Sequence, residues 1–333
     1  MPLVPVSSYR APFGFGNGHV QTVYPALFRR VDVMTGRRER LELADGDFLD
    51  LDWGEVEGDR KGLVVISHGL EGDSRQAYVQ GMARAMEGRG WDVLAWNFRG
   101  CSGEPNRLAR SYHSGVTEDL DAVLRHVWAE TCYERVALIG FSLGGNVVLK
   151  YLGEVGGGVD ERICGAVTFS VPCDLASSAE CLAAWGQRVY MRRFLSRLTG
   201  KIRGKMISHP GEVKDAGLDA MGNFYDFDGA YTAPLHGFAG AEDYWERCSS
   251  RRVLGDIRVP TLLVNAADDP FLGERCYPVE EAEASDWFWF EGPQRGGHVG
   301  FVPRDRGGVY WSEIRAGEFL DEVRARTRAS FEC

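Results

Sequence analysis

Three groups of residues in this 333-residue chain have the types and spacing of nucleophilic catalysis. Ser142 lies in Gly140-Phe141-Ser142-Leu143-Gly144-Gly145, a G-x-S-x-G pattern after the apolar run 136–139 and before a helical pattern through Leu152. In a chain this rich in glycine the bare pattern arises by chance at about 0.3 copies, so its position carries the reading. A strand that runs into a serine and straight out into a helix is a nucleophile elbow, which lifts the hydroxyl above the sheet edge. A serine hydroxyl attacks only when a base takes its proton and a third group orients that base. His298, in Gly296-Gly297-His298-Val299-Gly300-Phe301, follows the last strand-like run and suits the base. The acid is expected on the loop after the 261–264 run, where Asp268 and Asp269 stand side by side, and the residues alone do not separate them. The chain order is then Ser…Asp…His, the α/β-hydrolase order and neither the chymotrypsin nor the subtilisin one. Two backbone N–H groups must hold the oxyanion. Leu143, directly after the nucleophile, supplies one. Leu70, in the loop Ser67-His68-Gly69-Leu70-Glu71-Gly72 after another strand, supplies the other, with His68 expected to hold that loop by hydrogen bonding.

The elements needed to position these groups are legible as short apolar runs. Those at 63–66, 93–96, 136–139, 166–169 and 262–264 read as strands buried on both faces, as a helix-covered parallel sheet requires. Val116, Leu120, Val123, Leu124, Val127 and Trp128 recur at helical spacing and mark a crossover helix between two of them. Alternating strands and helices predict a doubly wound, mostly parallel α/β sheet. An antiparallel hairpin, 37–43 with 48–53 across Asp45-Gly46, is expected at one edge. Residues 173–250 break the rhythm with helical patches, a basic run and many aromatics. They are expected to form a mostly helical cap over the carboxyl ends of the strands, inserted between core segments 1–172 and 251–333.

Within that insertion, Arg188, Arg192, Arg193, Arg197, Lys201, Arg203 and Lys205 occur with no acid among them. Tyr190, Met191, Phe194, Leu195 and Leu198 interleave at helical spacing, so a basic amphipathic helix is expected to about Thr199, with Gly200 and Gly204 interrupting it. Such a helix either contacts an anionic membrane surface peripherally or turns its apolar face onto the site and leaves its charges in water. Arg99 and His113 are expected to be structural.

The charge sum, 38 basic against 48 acidic residues for a net of −10, argues against a nucleic-acid partner. No run of apolar residues is long enough for a transmembrane helix, and the first residues lack the pattern of a secretory signal. Eight cysteines with no C-x-x-C pair point to reduced thiols and a cytoplasmic setting. No spacing asks for a metal or a cofactor. Gly14–Gly18 follows no strand, and 200–206 misses the spacing of a phosphate loop.

Seven blocks together resemble the YheT-like branch of the α/β-hydrolase superfamily, esterases related to the abhydrolase-domain lipases. They are G-N-G-H-V-Q-T-V-Y-P at 16–25, S-H-G-L-E-G-D-S at 67–74, N-F-R-G-C-S-G at 97–103, Y-H-S-G at 112–115, G-F-S-L-G-G-N at 140–146, N-A-A-D-D-P-F at 265–271 and G-G-H-V-G-F at 296–301. The resemblance spans nearly the whole chain. It implies a serine esterase or lipase, and it carries the triad onto Ser142, Asp269 and His298. The expected substrate is a small-molecule acyl ester, lipid-like or of short to medium acyl chain. Two alternatives stand beside hydrolysis: acyl transfer to an alcohol by the same triad, and a non-catalytic binding protein on the same scaffold.

Overall fold

The computed structural model describes residues 3–34, 36–304 and 308–331. The strands are β1 (Arg38–Glu42), β2 (Phe48–Gly54), β3 (Leu63–Ser67), β4 (Asp92–Asn97), β5 (Val136–Phe141), β6 (Ile163–Phe169), β7 (Thr261–Val264) and β8 (Phe288–Glu291). They form one sheet in the order β1-β2-β4-β3-β5-β6-β7-β8. β1 and β2 pair antiparallel, β2 runs antiparallel to β4, and every later pairing is parallel. The expected sheet and edge hairpin are both present.

Helices α1 (Gly18–Phe28), α2 (Ala77–Glu87), α3 (Thr117–Glu130), α4 (Leu143–Val155) and α11 (Trp311–Phe331) flank the sheet, with α10 (Val279–Glu283) before β8. Successive residues of a strand point to opposite faces, and the two faces carry separate cores. Leu63 and Val65 pack with Leu120, Val123 and Val127 of α3 and Val147 of α4. Val64 and Ile66 pack with Val79 and Met82 of α2 and Phe319 of α11. Buried Arg99 is bound by Asp119 at 2.7 Å, Asp45 at 2.7 Å and Asp47 at 3.1 Å, which ties the hairpin turn to the start of α3. Its role is structural, as expected.

Between β6 and β7 lie α5 (Leu175–Ala183), α6 (Arg188–Ser208), α7 (Phe224–Phe227), α8 (Ala233–Leu235) and α9 (Ala241–Cys248), with a π-helical turn at Asp228–Thr232. One apolar cluster joins Leu182, Met191, Leu195, Ile202, Phe227, Tyr231 and Phe271; a second joins Leu175, Ala179, Tyr244 and Trp245. α6 corrects the expectation of a helix broken near Thr199, since it runs unbroken through Gly200 and Gly204. Both glycines have open space around them, while Ile202 and Lys205 anchor the last turns by burial. Its apolar side packs against Leu182, Phe227, Tyr231 and Phe271, and Arg188, Arg192 and Arg193 are exposed. No described helix is long and apolar enough to cross a membrane.

Candidate active site

β5 ends at Phe141, α4 begins at Leu143, and Ser142 between them holds φ +51° and ψ −120°. A non-glycine residue at positive φ costs about 1–3 kcal/mol and persists only when its surroundings over-determine it. Here they do. The Ser142 N–H donates to Phe169 O at 2.9 Å, and the Asn146 N–H donates to Ser142 O at 3.0 Å. The flanking glycines are required by contact: a Cβ on Gly140 would lie 2.5 Å from Gly145 Cα and 2.7 Å from Gly144 O. One on Gly144 would overlap the carbonyl oxygens of Ser67 and His68.

The Ser142 Oγ is 2.9 Å from His298 Nε2. On the other side of the ring, Nδ1 is 2.9 Å from Asp269 Oδ2 and 3.1 Å from Oδ1. The Asp269 side chain is fully buried and also accepts the Phe271 N–H at 2.9 Å. Asp268 points elsewhere. It accepts the Gly297 N–H at 2.9 Å, with Arg295 3.8 Å away, and burial pushes its carboxyl upward from the usual range. Geometry thus distinguishes two neighbours that the residue types alone left together. Asp269 meets the ring; Asp268 holds the loop that carries it.

That loop is braced by residues to which sequence reasoning gave no role. The His298 N–H donates to Thr22 Oγ1 of α1 at 2.9 Å, and the Val299 N–H to Ser170 Oγ at 2.8 Å. Gln21 Oε1 accepts the Val302 N–H and the Tyr9 hydroxyl. The block at 16–25 was a visible signal, but it marks α1 without saying which loop α1 supports.

Leu70 borders the same space as Ser142 and His298. Around it the N–H groups of Gly69, Glu71 and Gly72 are all occupied, by Tyr78 Oη at 2.9 Å, Tyr112 Oη at 2.8 Å and Gly69 O at 3.0 Å. Among the described residues the Leu70 N–H has no protein acceptor. Leu143 is the first residue of α4, where an amide has no intrahelical acceptor. His68 accepts the Phe98 N–H at Nε2, 3.2 Å, and meets Gly69 O at Nδ1, 2.8 Å. That pattern is the neutral ring, and burial lowers its pKa to about 3. It is the loop support expected.

Two cavities meet at Ser142 and His298. The first, about 130 Å³, runs under the cap between Leu182, Phe194, Ile202, Trp245 and Phe271, with His113 and Asp228 also in its wall. His113 was expected to be structural only. It accepts the Gly115 N–H at 3.1 Å, and its ring also borders this cavity. The second cavity, about 230 Å³, opens between Thr22 and Val23 of α1 and Tyr190, Arg193 and Arg197 of α6.

The alpha/beta hydrolase fold family matches residues 62–279. The chain is 38% identical to Escherichia coli YheT, named as an esterase, over 92% of this chain and 91% of that one. It is 28% identical to mouse phospholipase ABHD3, over 80% of this chain and 66% of the relative. Among solved structures, the Pyrococcus furiosus esterase Pf2001 superposes with a TM-score of 0.55 at 17% identity, over 88% of this chain and 98% of that one. The chain therefore belongs to the α/β-hydrolase family, in its YheT-like esterase branch.

Proposed function

We propose that this protein hydrolyses carboxylic esters with a short acyl group, through an acyl-enzyme on Ser142. His298 Nε2 takes the Ser142 proton as Oγ attacks the ester carbonyl carbon. The oxygen of the tetrahedral intermediate takes its hydrogen bonds from the Leu70 and Leu143 N–H groups. Collapse breaks the C–O bond, and the imidazolium gives its proton to the departing alcohol. Water, deprotonated by the same ring, then attacks the acyl carbon and releases acid and free Ser142. Asp269 fixes the ring tautomer and stabilises the imidazolium. The esterase and phospholipase names of the relatives agree with this chemistry.

The observation that carries the reading is the Asp269–His298–Ser142 relay at the mouth of an apolar cavity. Cavity size bears on chain length. An apolar cavity of about 150 Å³ takes benzene, so 130 Å³ suits an acyl chain of about four to six carbons. The second cavity takes the alcohol side. The test is a series of p-nitrophenyl esters of graded length. The expected optimum is at butyrate to hexanoate, with kcat/KM at least about tenfold lower for palmitate, because a methylene without space forfeits about 0.8 kcal/mol of burial. A flat profile out to palmitate refutes the short-acyl assignment. Adding an alcohol to the same assay separates hydrolysis from transfer.

A further inference from the structure

Glu71, the residue after Leu70, is held as no ordinary loop residue is. Its backbone sits at φ +54°, a conformation that costs a side-chain-bearing residue about 1–3 kcal/mol. Its carboxylate is 5% exposed and accepts the Tyr112 hydroxyl at 2.7 Å. The Tyr112 oxygen in turn accepts the Glu71 N–H at 2.8 Å, closing a ring of two hydrogen bonds.

The remaining contacts come from the cap. Lys201 Nζ lies 2.9 Å from Glu71 Oε1 and 3.0 Å from the buried Cys101 Sγ, with its charge 5.1 Å from the Tyr112 ring centre. One helical turn earlier, Arg197 donates to Glu71 O at 3.0 Å. α6 therefore grips both the side chain and the carbonyl of Glu71. Two of the seven basic residues expected to meet either a membrane surface or water contact the loop instead.

We infer that Lys201 and Arg197 are positioning residues, and that the cap, through Glu71, sets the aim of the Leu70 N–H at the oxyanion. The inference rests on the esterase reading and adds to it. With the clamp in place, the 70–71 peptide is fixed at the strained turn. With it released, Glu71 relaxes toward negative φ, and the adjoining Leu70 amide swings away from the site. Lys201 borders the first cavity and Arg197 the second, but the clamp itself is made with the loop, so the loss from releasing it shows in turnover rather than in ground-state binding.

The test uses the full-length protein with p-nitrophenyl butyrate. Ser142-dependent turnover of the unaltered protein is measured first; if there is none, the esterase reading falls and this inference falls with it. Lys201→Met is expected to lower kcat by about tenfold to a hundredfold, somewhat less than outright removal of an oxyanion donor, with KM unchanged within about twofold. Lys201→Arg restores most of the loss. Affinity for propyl trifluoromethyl ketone, whose adduct with Ser142 places an oxyanion at the same donors, falls by the same factor as kcat. In a Glu71→Ala background Lys201→Met adds no more than about twofold, because the side chain it holds is already gone. Should Lys201→Met unfold the protein, Arg197→Gln tests the same clamp from the solvent side, with an expected loss of about threefold to tenfold in kcat alone. A rise in KM at constant kcat would mean that these residues act only as cavity wall and would overturn the inference. So would fully additive losses in the double variant, or unchanged affinity for the ketone.

Discussion

At the residue scale the relay divides the work among three side chains that make different contacts, and this lets each be tested alone. Ser142→Ala removes the nucleophile but keeps a Cβ at the same positive φ, so the strain of the elbow is unchanged. Turnover is expected to fall by about 10⁶ while the melting temperature stays within about 2 °C. Fluorophosphonate labelling and calorimetry check the two halves. Asp269 and Asp268 are the sharper pair. Asparagine at 269 leaves the His298 ring without an anionic partner and favours the wrong tautomer, with an expected loss of about 10⁴ in kcat by analogy with serine proteases. Asparagine at 268 can still accept the Gly297 N–H through its amide oxygen, so the expected loss is under about tenfold. The opposite ranking in steady-state kinetics would transfer the acid's role to Asp268.

At the element scale the site depends on segments that nearly touch. α4 can start at Leu143 only because Gly144 lets it lie against the carbonyls of Ser67 and His68 at the end of β3. Gly144→Ala is expected to destabilise by about 1–3 kcal/mol, the usual cost of overpacking, and to reduce turnover as well, since the displaced elements carry both Ser142 and Leu70. Urea unfolding and kcat on the same sample would show the two losses together. This elbow was legible before any coordinates because nucleophile, glycines and flanking strand are contiguous in the chain. The buttress from α1 was not. The hydrogen bond of Thr22 to His298 spans 276 positions, and no periodicity or local motif reports such a pair. Lys201 illustrates the same limit. The expected helix stopped near Thr199, short of Lys201, and whether that charge meets water or Glu71 depends on a loop 130 positions earlier. Gly200 and Gly204 misled for a related reason: propensity argues for a break, and burial of Ile202 and Lys205 on the opposite side overrides it.

At the scale of the whole molecule, burial of ionisable groups sets the response to acid. His68 is pushed down to about 3, His236 to about 4, and His113 well below its ordinary value, each chiefly by desolvation. The unfolded chain protonates these rings near pH 6.5 while the folded one does not, so on acidification it gains protons and stability falls. Asp228 acts with the opposite sign, as do Glu87, Glu118, Asp119, Asp268 and Glu313, whose carboxyls burial also raises. Burial raises the Asp228 carboxyl to about 6, against Thr232 and Trp245 hydrogen bonds that pull it down. Between about pH 4 and 6 the folded state therefore holds a proton that the unfolded state has lost, which offsets one of the three histidines. Each unbalanced proton is worth about 1.4 kcal/mol per pH unit. From pH 7 to 6, where the three histidines dominate, the expected decline is about 1–2 kcal/mol, measurable by urea unfolding at each pH, and it flattens below that as the raised carboxyls take up protons. General charge repulsion does not account for a decline there, because the chain approaches neutrality at its sequence pI of about 5.3. Asp228→Asn isolates the opposing term. It removes the cost of a buried charge at pH 7–8 and keeps an oxygen to accept one of the two hydrogen bonds. The variant is expected to be more stable than the parent at pH 8 by about 1–2 kcal/mol and to lose that advantage by pH 4, so its stability falls more steeply through the same window. An advantage that persists unchanged at pH 4 would mean that the Asp228 carboxyl does not titrate in that window, and the three histidines would then set the acid response unopposed by it.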